Sequence, residues 1–334
     1  MHQRIAIIYN APNPDLYRTT VEKKASLAIL DGVEAVHQAL IQSGYPVVCL
    51  PLLPPLETAR ESLKGLEADI VFNLFEGFDG YPETEAAVVN FISKLGLTYT
   101  GCSGSALSLG LDKVKTKARL AAIGMDTPKY QLLGPKTTSL FHLNYPCIVK
   151  PCAEDGSNGI SEESVVHDFA SLEKQVATIN KCFGRRALVE EFVDGREFNI
   201  TVLGTSEPKA LSISEIVYSL PPEIPRILSF SAKWDPQSVY FQHTKAVCPA
   251  EIDIELRERI IQTALLAFRL LGSRGYARID FRLDAEEQLK VIEVNPNPDI
   301  SPDAGAALQA QAAGMTYIQF IGQIVQLALE RRWA

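Results

Sequence analysis

Two apolar segments near the end of the chain carry polar and charged residues in alternation: "YARIDFRL" (276–283) and "VIEVNP" (291–296). Side chains two apart share a face of a β-strand. Arg278, Asp280 and Arg282 therefore point one way, and Ile279, Phe281 and Leu283 the other. In the second segment Glu293 and Asn295 point together, opposite Ile292 and Val294. The short turn "DAEEQ" between the segments predicts an antiparallel pair, so Arg278, Asp280, Glu293 and Asn295 converge on one patch. Two carboxylates and an amide offer oxygen ligands, the set that suits magnesium when phosphate oxygens complete its shell. The plainer alternative is a surface hairpin with a solvated charged face. Pro296 and Pro298 then restrict how the chain leaves the strand.

Other segments supply what a phosphate needs. "YPCIVKP" puts Lys150 at the end of an apolar strand, where an ammonium is costly unless an anion meets it. The loop "AEDGSNGIS" follows, with Gly156, Ser157 and Gly159. Its glycines let backbone N–H groups approach and cradle a phosphate, although a plain turn has the same composition. Lys113 opens the basic helix "DKVKTKARLAAIG"; taken alone it is an ordinary exposed charge. "RALVEEFVDGREF" carries Glu190, Glu191, Phe192 and Val193 in a short connector. Exposed backbone groups flanked by apolar side chains there can grip a flat adenine ring, and Glu197 can reach a ribose. An edge strand with its acids in water reads equally well from these residues. The Pro-rich stretch 220–249 is too long for a tight turn and carries Lys233, which marks it as a functional loop or lid.

The elements that must position these residues alternate strand and helix in the first third. "IAIIYN", "YPVVCLPL" and "ADIVFNLF" read as strands, and 20–44 and "ETEAAVVNFISKLG" as helices. That alternation predicts a parallel sheet. No Gly-x-Gly-x-x-Gly follows the first strand, so a dinucleotide site there has little support. Further on come a helix near 168–182, strands "EFNITVLG" and "ALSISEIVY", a helix over 251–271, and a last helix from Tyr317 to Glu330. With 334 residues, 46 % of them apolar and 22 % charged, the chain suits two or three packed lobes. A net charge of −8 argues against a nucleic-acid binder working by bulk charge. No apolar run reaches membrane-helix length, and the N-terminus has no signal-peptide pattern. The six cysteines lack Cys-x-x-Cys spacing and read as reduced thiols. The expectation is a cytoplasmic protein without nucleic-acid or membrane partners.

Taken in order, "DKVKTK", "YPCIVKPCAEDGSNGIS", "ALVEEFVDGREF", "AKW", "YARIDFRL" and "VIEVNPNP" resemble the D-alanine–D-alanine ligase branch of the ATP-grasp superfamily. "FNLFEG" and "LTYTG" extend the resemblance over nearly the whole chain. It implies an α/β, three-lobed ATP-grasp fold: an N-terminal parallel α/β layer (1–110), a central α+β ATP-clamping lobe (111–197) and a C-terminal α+β catalytic lobe (198–334). It implies ATP with Mg2+ (Mn2+ as the substitute), and small-molecule carboxylate and amine substrates joined through an acyl phosphate. It also suggests a homodimer through the first lobe. By resemblance, Lys113 and Lys150 meet ATP phosphates beneath the Ser157 loop, and Lys233 is a phosphate-side lysine. Glu190 and Glu197 hold adenine and ribose, with the backbone near Val193 in the adenine clamp. Asp280, Glu293 and Asn295 are the metal ligands, and Arg278 steadies the acyl phosphate and tetrahedral state.

The departures fall on the amino-acid half of the site. "YNAPNPDLYRTT" lacks the glutamate that binds the first amino acid's ammonium in the family. The family's "HG" is Glu76–Gly77 here, a loop serine is Gly156, and the tyrosine after the family's lysine is Trp234. "PNPDISPDAG" replaces the Thr-Ser-Pro-Gly run, with Ala304 near the place of the serine for the second substrate's carboxylate. These changes lead to the expectation of a ligase acting on an amino acid or similar metabolite other than the D-alanine pair. D-alanine–D-alanine ligase itself is the alternative. A non-catalytic ATP-binding regulatory protein is the alternative from another class, and Arg278, aimed past the phosphates, speaks against it.

Overall fold

A computed structural model describes residues 3–13, 19–154 and 156–330. The chain opens with β1 (Ile5–Asn10), α1 (Thr20–Gln42), β2 (Val47–Leu52), α2 (Leu56–Lys64), β3 (Ile70–Leu74), α3 (Thr84–Lys94) and β4 (Thr98–Tyr99). Next come α4 (Gly104–Leu111), α5 (Lys113–Ala122), β5 (Tyr130–Leu133), β6 (Cys147–Pro151), β7 (Val165–Val166), α6 (Phe169–Phe183) and β8 (Ala187–Glu191). The remainder is β9 (Arg196–Gly204), β10 (Lys209–Tyr218), α7 (Phe230–Trp234), α8 (Val239–Gln242), β11 (Thr244–Val247), α9 (Ile254–Leu270), β12 (Gly275–Leu283), β13 (Leu289–Asn295), α10 (Gly305–Ala312) and α11 (Tyr317–Glu330).

These form three sheets. The first is parallel, in the order β2-β1-β3-β4. Ile5, Ala6, Ile7 and Ile8 of its inner strand β1 are all fully buried, as a strand covered on both faces requires. Pro51 is tolerated because β2 is an edge strand. The second sheet, β5-β8-β6-β7, is antiparallel and packs on α6. Asp168 caps α6, accepting from the Ser171 N–H at 2.7 Å, and Gly184 ends it at φ +64°. The third sheet, β11-β10-β9-β12-β13, is antiparallel.

One face of the third sheet is apolar except at one end, where Arg196 and Glu215 form an ion pair at 2.7 Å. Phe198, Ile200 and Val202 of β9 join Ala277, Ile279, Phe281 and Leu283 of β12 against α9. The opposite face is divided. Leu203, Leu211 and Tyr276 pack under α10 and α11 in the core that also takes α1. Beyond them the same face turns polar, with Glu197, Asn199, Arg278, Asp280 and Arg282. At the boundary lies Gln309 of α10, fully buried. It accepts from the Thr201 N–H at 2.7 Å and donates to Asn199 Oδ1 at 2.6 Å and Ser214 Oγ at 3.0 Å. The helices therefore stop where the candidate site begins.

Three expectations are corrected here. The alternation expected for β13 is broken by a bulge: Asp280 pairs with Glu293, but Phe281 pairs with Val291. The extra residue, Ile292, lets both Val291 and Val294 enter the core, where Ile292 and Val294 were expected. The 220–249 segment, expected as an irregular loop or lid, contains α7, α8 and the edge strand β11. Helices α2, α4 and α10 were not anticipated. Of the divergent segment after β1, residues 14–18 lie outside the described residues.

Candidate active site

Three strands lay out the floor of the site as rows. Asn199, Asp280 and Glu293 are opposite one another across β9, β12 and β13. Thr201, Arg278 and Asn295 form the next row, and Glu197 and Arg282 the one on the other side. The Arg278 guanidinium bonds both oxygens of Asp280, at 2.7 and 2.8 Å, which fixes its plane. Burial alone would lower the Arg278 pKa, but Asp280, then Glu293 and Asp299, raise it above its ordinary value. Asn295 Oδ1 accepts the Asn297 N–H at 2.8 Å, so the amide oxygen is held in place with a lone pair to spare.

Lys113 reaches Glu293 from the first turn of α5 in a close ion pair, and is buried rather than exposed. Asp112 caps that helix, accepting from the Lys115 N–H at 3.0 Å. Lys150 on β6 and Lys117 on α5 both form close ion pairs with Glu190 of β8, one to each carboxylate oxygen. Glu190 is buried, which alone would raise its pKa; Lys117 and Lys150 outweigh that and hold it below the usual range. Glu191 faces Lys129 at 3.6 Å. Glu197 is engaged by Arg282 and by the Tyr218 hydroxyl, each at 2.5 Å. Arg282 also donates to the carbonyls of Val193 at 3.4 Å and Gly195 at 3.2 Å, tying the connector to the floor. Lys117, Tyr218 and Arg282 were not among the expected site residues. Lys117 had a signal: it is one helical turn from Lys113, on the same side of α5.

The glycine loop and the 220–249 segment meet over this floor. Gly156, Ser157 and Gly159 all have positive φ (67°, 66° and 74°). For Ser157 that is a strained conformation, and its Oγ donates to the Leu228 carbonyl at 2.7 Å. Ile160 and Phe192 pack with Ile227 and Tyr240 in a small apolar cluster that joins the glycine loop, the connector and the 220–249 segment. Lys233 on α7 has its pKa lowered by burial and by Arg278, against Asp280, Glu293 and Glu197. The charges that act on it are thus those of β9, β12 and β13. We expect nucleotide to slow proteolysis within 220–249; limited digestion with equal cleavage rates in its presence and absence would remove the lid assignment.

Among the described residues no cluster of three or more His, Cys, Asp or Glu side chains could hold a metal. The register brings two carboxylates and one amide oxygen to one face, donors of the type magnesium takes alongside phosphate and water, although here Arg278 bonds both Asp280 oxygens and Lys113 pairs with Glu293. Past Asn295 the chain is locked. Pro296 lies against Gly110 of α4, where an added Cβ would come within 2.5 Å of its Cδ. Asn297 donates to Glu85 Oε1 at 2.7 Å and the Phe75 carbonyl at 3.2 Å, and accepts from the Tyr276 hydroxyl at 3.3 Å. Beside this lock is a shallow cleft with an enclosed volume of only about 30 Å³, lined by Gly32, Leu74, Glu76, Asn297, Asp299 and Ser301 among others.

Comparison with known proteins agrees with this layout. A family model described as "D-ala D-ala ligase C-terminus" matches residues 120–326. The D-alanine–D-alanine ligase of Gluconobacter oxydans is 30 % identical over 315 residues, covering 94 % of this chain and 97 % of its own length. The crystal structure of D-alanine–D-alanine ligase from Bacillus anthracis complexed with ATP superposes with a TM-score of 0.72 at 20 % identity, covering 99 % of both chains. That of the VanG D-Ala:D-Ser ligase from Enterococcus faecalis gives 0.75 at 19 % identity, covering 98 % of this chain and all of the other. The parallel sheet, the two antiparallel sheets and the family match together establish that the chain belongs to the D-alanine–D-alanine ligase family, ATP-dependent C–N ligases of the ATP-grasp fold.

Proposed function

We propose that the protein joins a carboxylate to an amine through an acyl phosphate, and that its substrate pair is not D-alanine with D-alanine. The observation that carries the chemistry is the pair of rows on β12 and β13, Arg278–Asn295 and Asp280–Glu293, with Lys113, Lys150 and Lys233 above them. Lys113 and Lys150 bind nucleotide phosphates, and the Gly156–Gly159 loop covers them with backbone N–H groups. The connector backbone from Glu191 to Val193 takes the adenine beside Glu190, and Glu197, oriented by Arg282 and Tyr218, accepts from the ribose. Asp280, Glu293 and Asn295 would hold magnesium, which supplies positive charge at the phosphate oxygens. The substrate carboxylate attacks the γ-phosphorus and ADP leaves. The amine then adds to the acyl carbon, phosphate departs, and the amine's proton is lost as the amide forms. Arg278 neutralises charge that develops on the acyl phosphate and the tetrahedral state. Most of the rate comes from positioning and charge neutralisation.

The substrate reading is supported by the residues around the small cleft beside Asn297. Glu76 and Asp299 on its wall stand in segments that depart from the family pattern, and Gly32 of α1 closely approaches Ser301. An added Cβ at Gly32 would come within 2.7 Å of Ser301 Oγ. The same fold carries a ligase titled for D-Ala and D-Ser, so changed substrates are compatible with it. The name of the Gluconobacter relative favours the second reading, D-alanine–D-alanine ligase. ADP release measured against D- and L-amino acids, singly and in pairs, separates them. Turnover with pairs other than D-alanine alone is expected. Release with D-alanine only would establish the second reading. ATP binding without release for any pair would point to a non-catalytic binder.

A further inference from the structure

The central lobe buries an unequal set of charges. Glu190 is 1 % exposed, Lys117 2 % and Lys150 9 %, so two ammonium groups share one carboxylate. The two lysines are not equivalent. Lys117 has two further partners: its Nζ donates to Thr127 Oγ1 at 2.7 Å and lies 5.9 Å from the centre of the Tyr130 ring. Tyr130 is the register partner of Glu190 across β5 and β8. Lys150 has no such second anchor among the hydrogen bonds of the described residues and is the more exposed of the two. Burial pushes the Lys117 pKa down to about 8, and the charges of Lys150 and Lys113 add to that against Glu190. A buried group with one positive charge in excess is short of an anion.

We propose that Lys117 is a positioning residue: it holds Glu190 and matches its charge, so that Lys150 can leave the carboxylate for a nucleotide phosphate. The inference rests on the nucleotide reading above. With Lys117 in place, Glu190 keeps a counter-ion when Lys150 turns to phosphate. Without it, the same movement strands a carboxylate in the interior, a costly state. Lys117 thus sets the affinity for nucleotide without touching it.

The test is a double-mutant cycle on the whole chain, with Lys117→Met and Glu190→Gln singly and together. Binding of Mg-ADP is followed by calorimetry and folding by thermal melting. Against native Glu190, Lys117→Met should weaken binding about tenfold or more, the effect of trapping Lys150 in a one-to-one buried pair. Against Glu190→Gln it should cost less than about twofold, because there is no carboxylate to strand. Melting of Lys117→Met should stay within a few degrees of the native protein, since it removes an excess buried charge. Equal losses in both backgrounds would mean a simple field effect, and no loss in either would mean no role; each overturns the proposal. So does a Lys117→Met protein that fails to fold, which would make the residue structural. If the native protein itself does not bind Mg-ADP, the nucleotide reading falls and takes this one with it.

Discussion

Replacing Arg278 with glutamine is expected to reduce ligation about a thousandfold while nucleotide affinity changes less than about tenfold. The guanidinium lies in the row with Asn295 and Thr201, one step from the Asp280–Glu293 row. Its plane is fixed by two bonds to Asp280, and the surrounding carboxylates keep it charged at every working pH. Such a group is already oriented before charge develops on the substrate, so it loses nothing to reorganisation at the moment of reaction. Lysine at 278 keeps the charge but loses the fork. It should recover part of the rate and remain on the order of a hundredfold below the native enzyme. Single-turnover measurements separate the two effects, because they follow the chemical step apart from binding. A loss under about fivefold with glutamine would place the developing charge elsewhere. In that case the Lys233 side of the site becomes the leading candidate for its stabilisation.

The site's floor was legible in the sequence because β12 keeps strict alternation. Arg278, Asp280 and Arg282 do share one face, and Ile279 and Phe281 the other. In β13 the bulge at Ile292 was hidden, since apolar residues at 291, 292 and 294 fit either register. Its effect is to bury two valines and still present Glu293 beside Asp280. Taken alone Lys113 read as an ordinary helix charge, and only the resemblance set it among the phosphate-binding residues; its burial depends on Glu293, 180 positions away, and on the Cys152 carbonyl that accepts its N–H. The partners of Glu197 were equally non-local, since Arg282 meets it through β9–β12 pairing and Tyr218 through β9–β10. Helices α4, "GSALSLGL", and α10, "GAALQAQA", are short and built of small residues, so no apolar stripe marks them. Helices α7 and α8 are shorter than a helical period can reveal, and their signals are the capping serines Ser229 and Ser238.

Glutamine at 293 is expected to lower magnesium-dependent turnover at least a hundredfold and to raise the magnesium concentration for half-maximal rate about tenfold or more. Folding should suffer far less. The substitution keeps the side chain's size and removes one charge from a cluster that retains Asp280. Its cost is the loss of the close ion pair with Lys113, on the order of 1–3 kcal/mol. Acid provides an independent check on that cost. Burial alone would raise the Glu293 pKa, but Lys113 above all, then Lys150 and Arg278, bring it from 4.5 to about 2. A carboxyl with a depressed folded-state pKa contributes stability above its unfolded value and loses it as pH falls through the folded one. The stability gap between native protein and variant should therefore be full above pH 4.5 and shrink as pH drops toward 2. Denaturant unfolding at pH 6 and pH 3 measures it. A gap that stays constant with pH would mean that Lys113 does not hold Glu293 as described. Unchanged turnover and unchanged magnesium dependence would mean that the metal is held away from this row, and that the charge on Glu293 serves only to keep Lys113 in place.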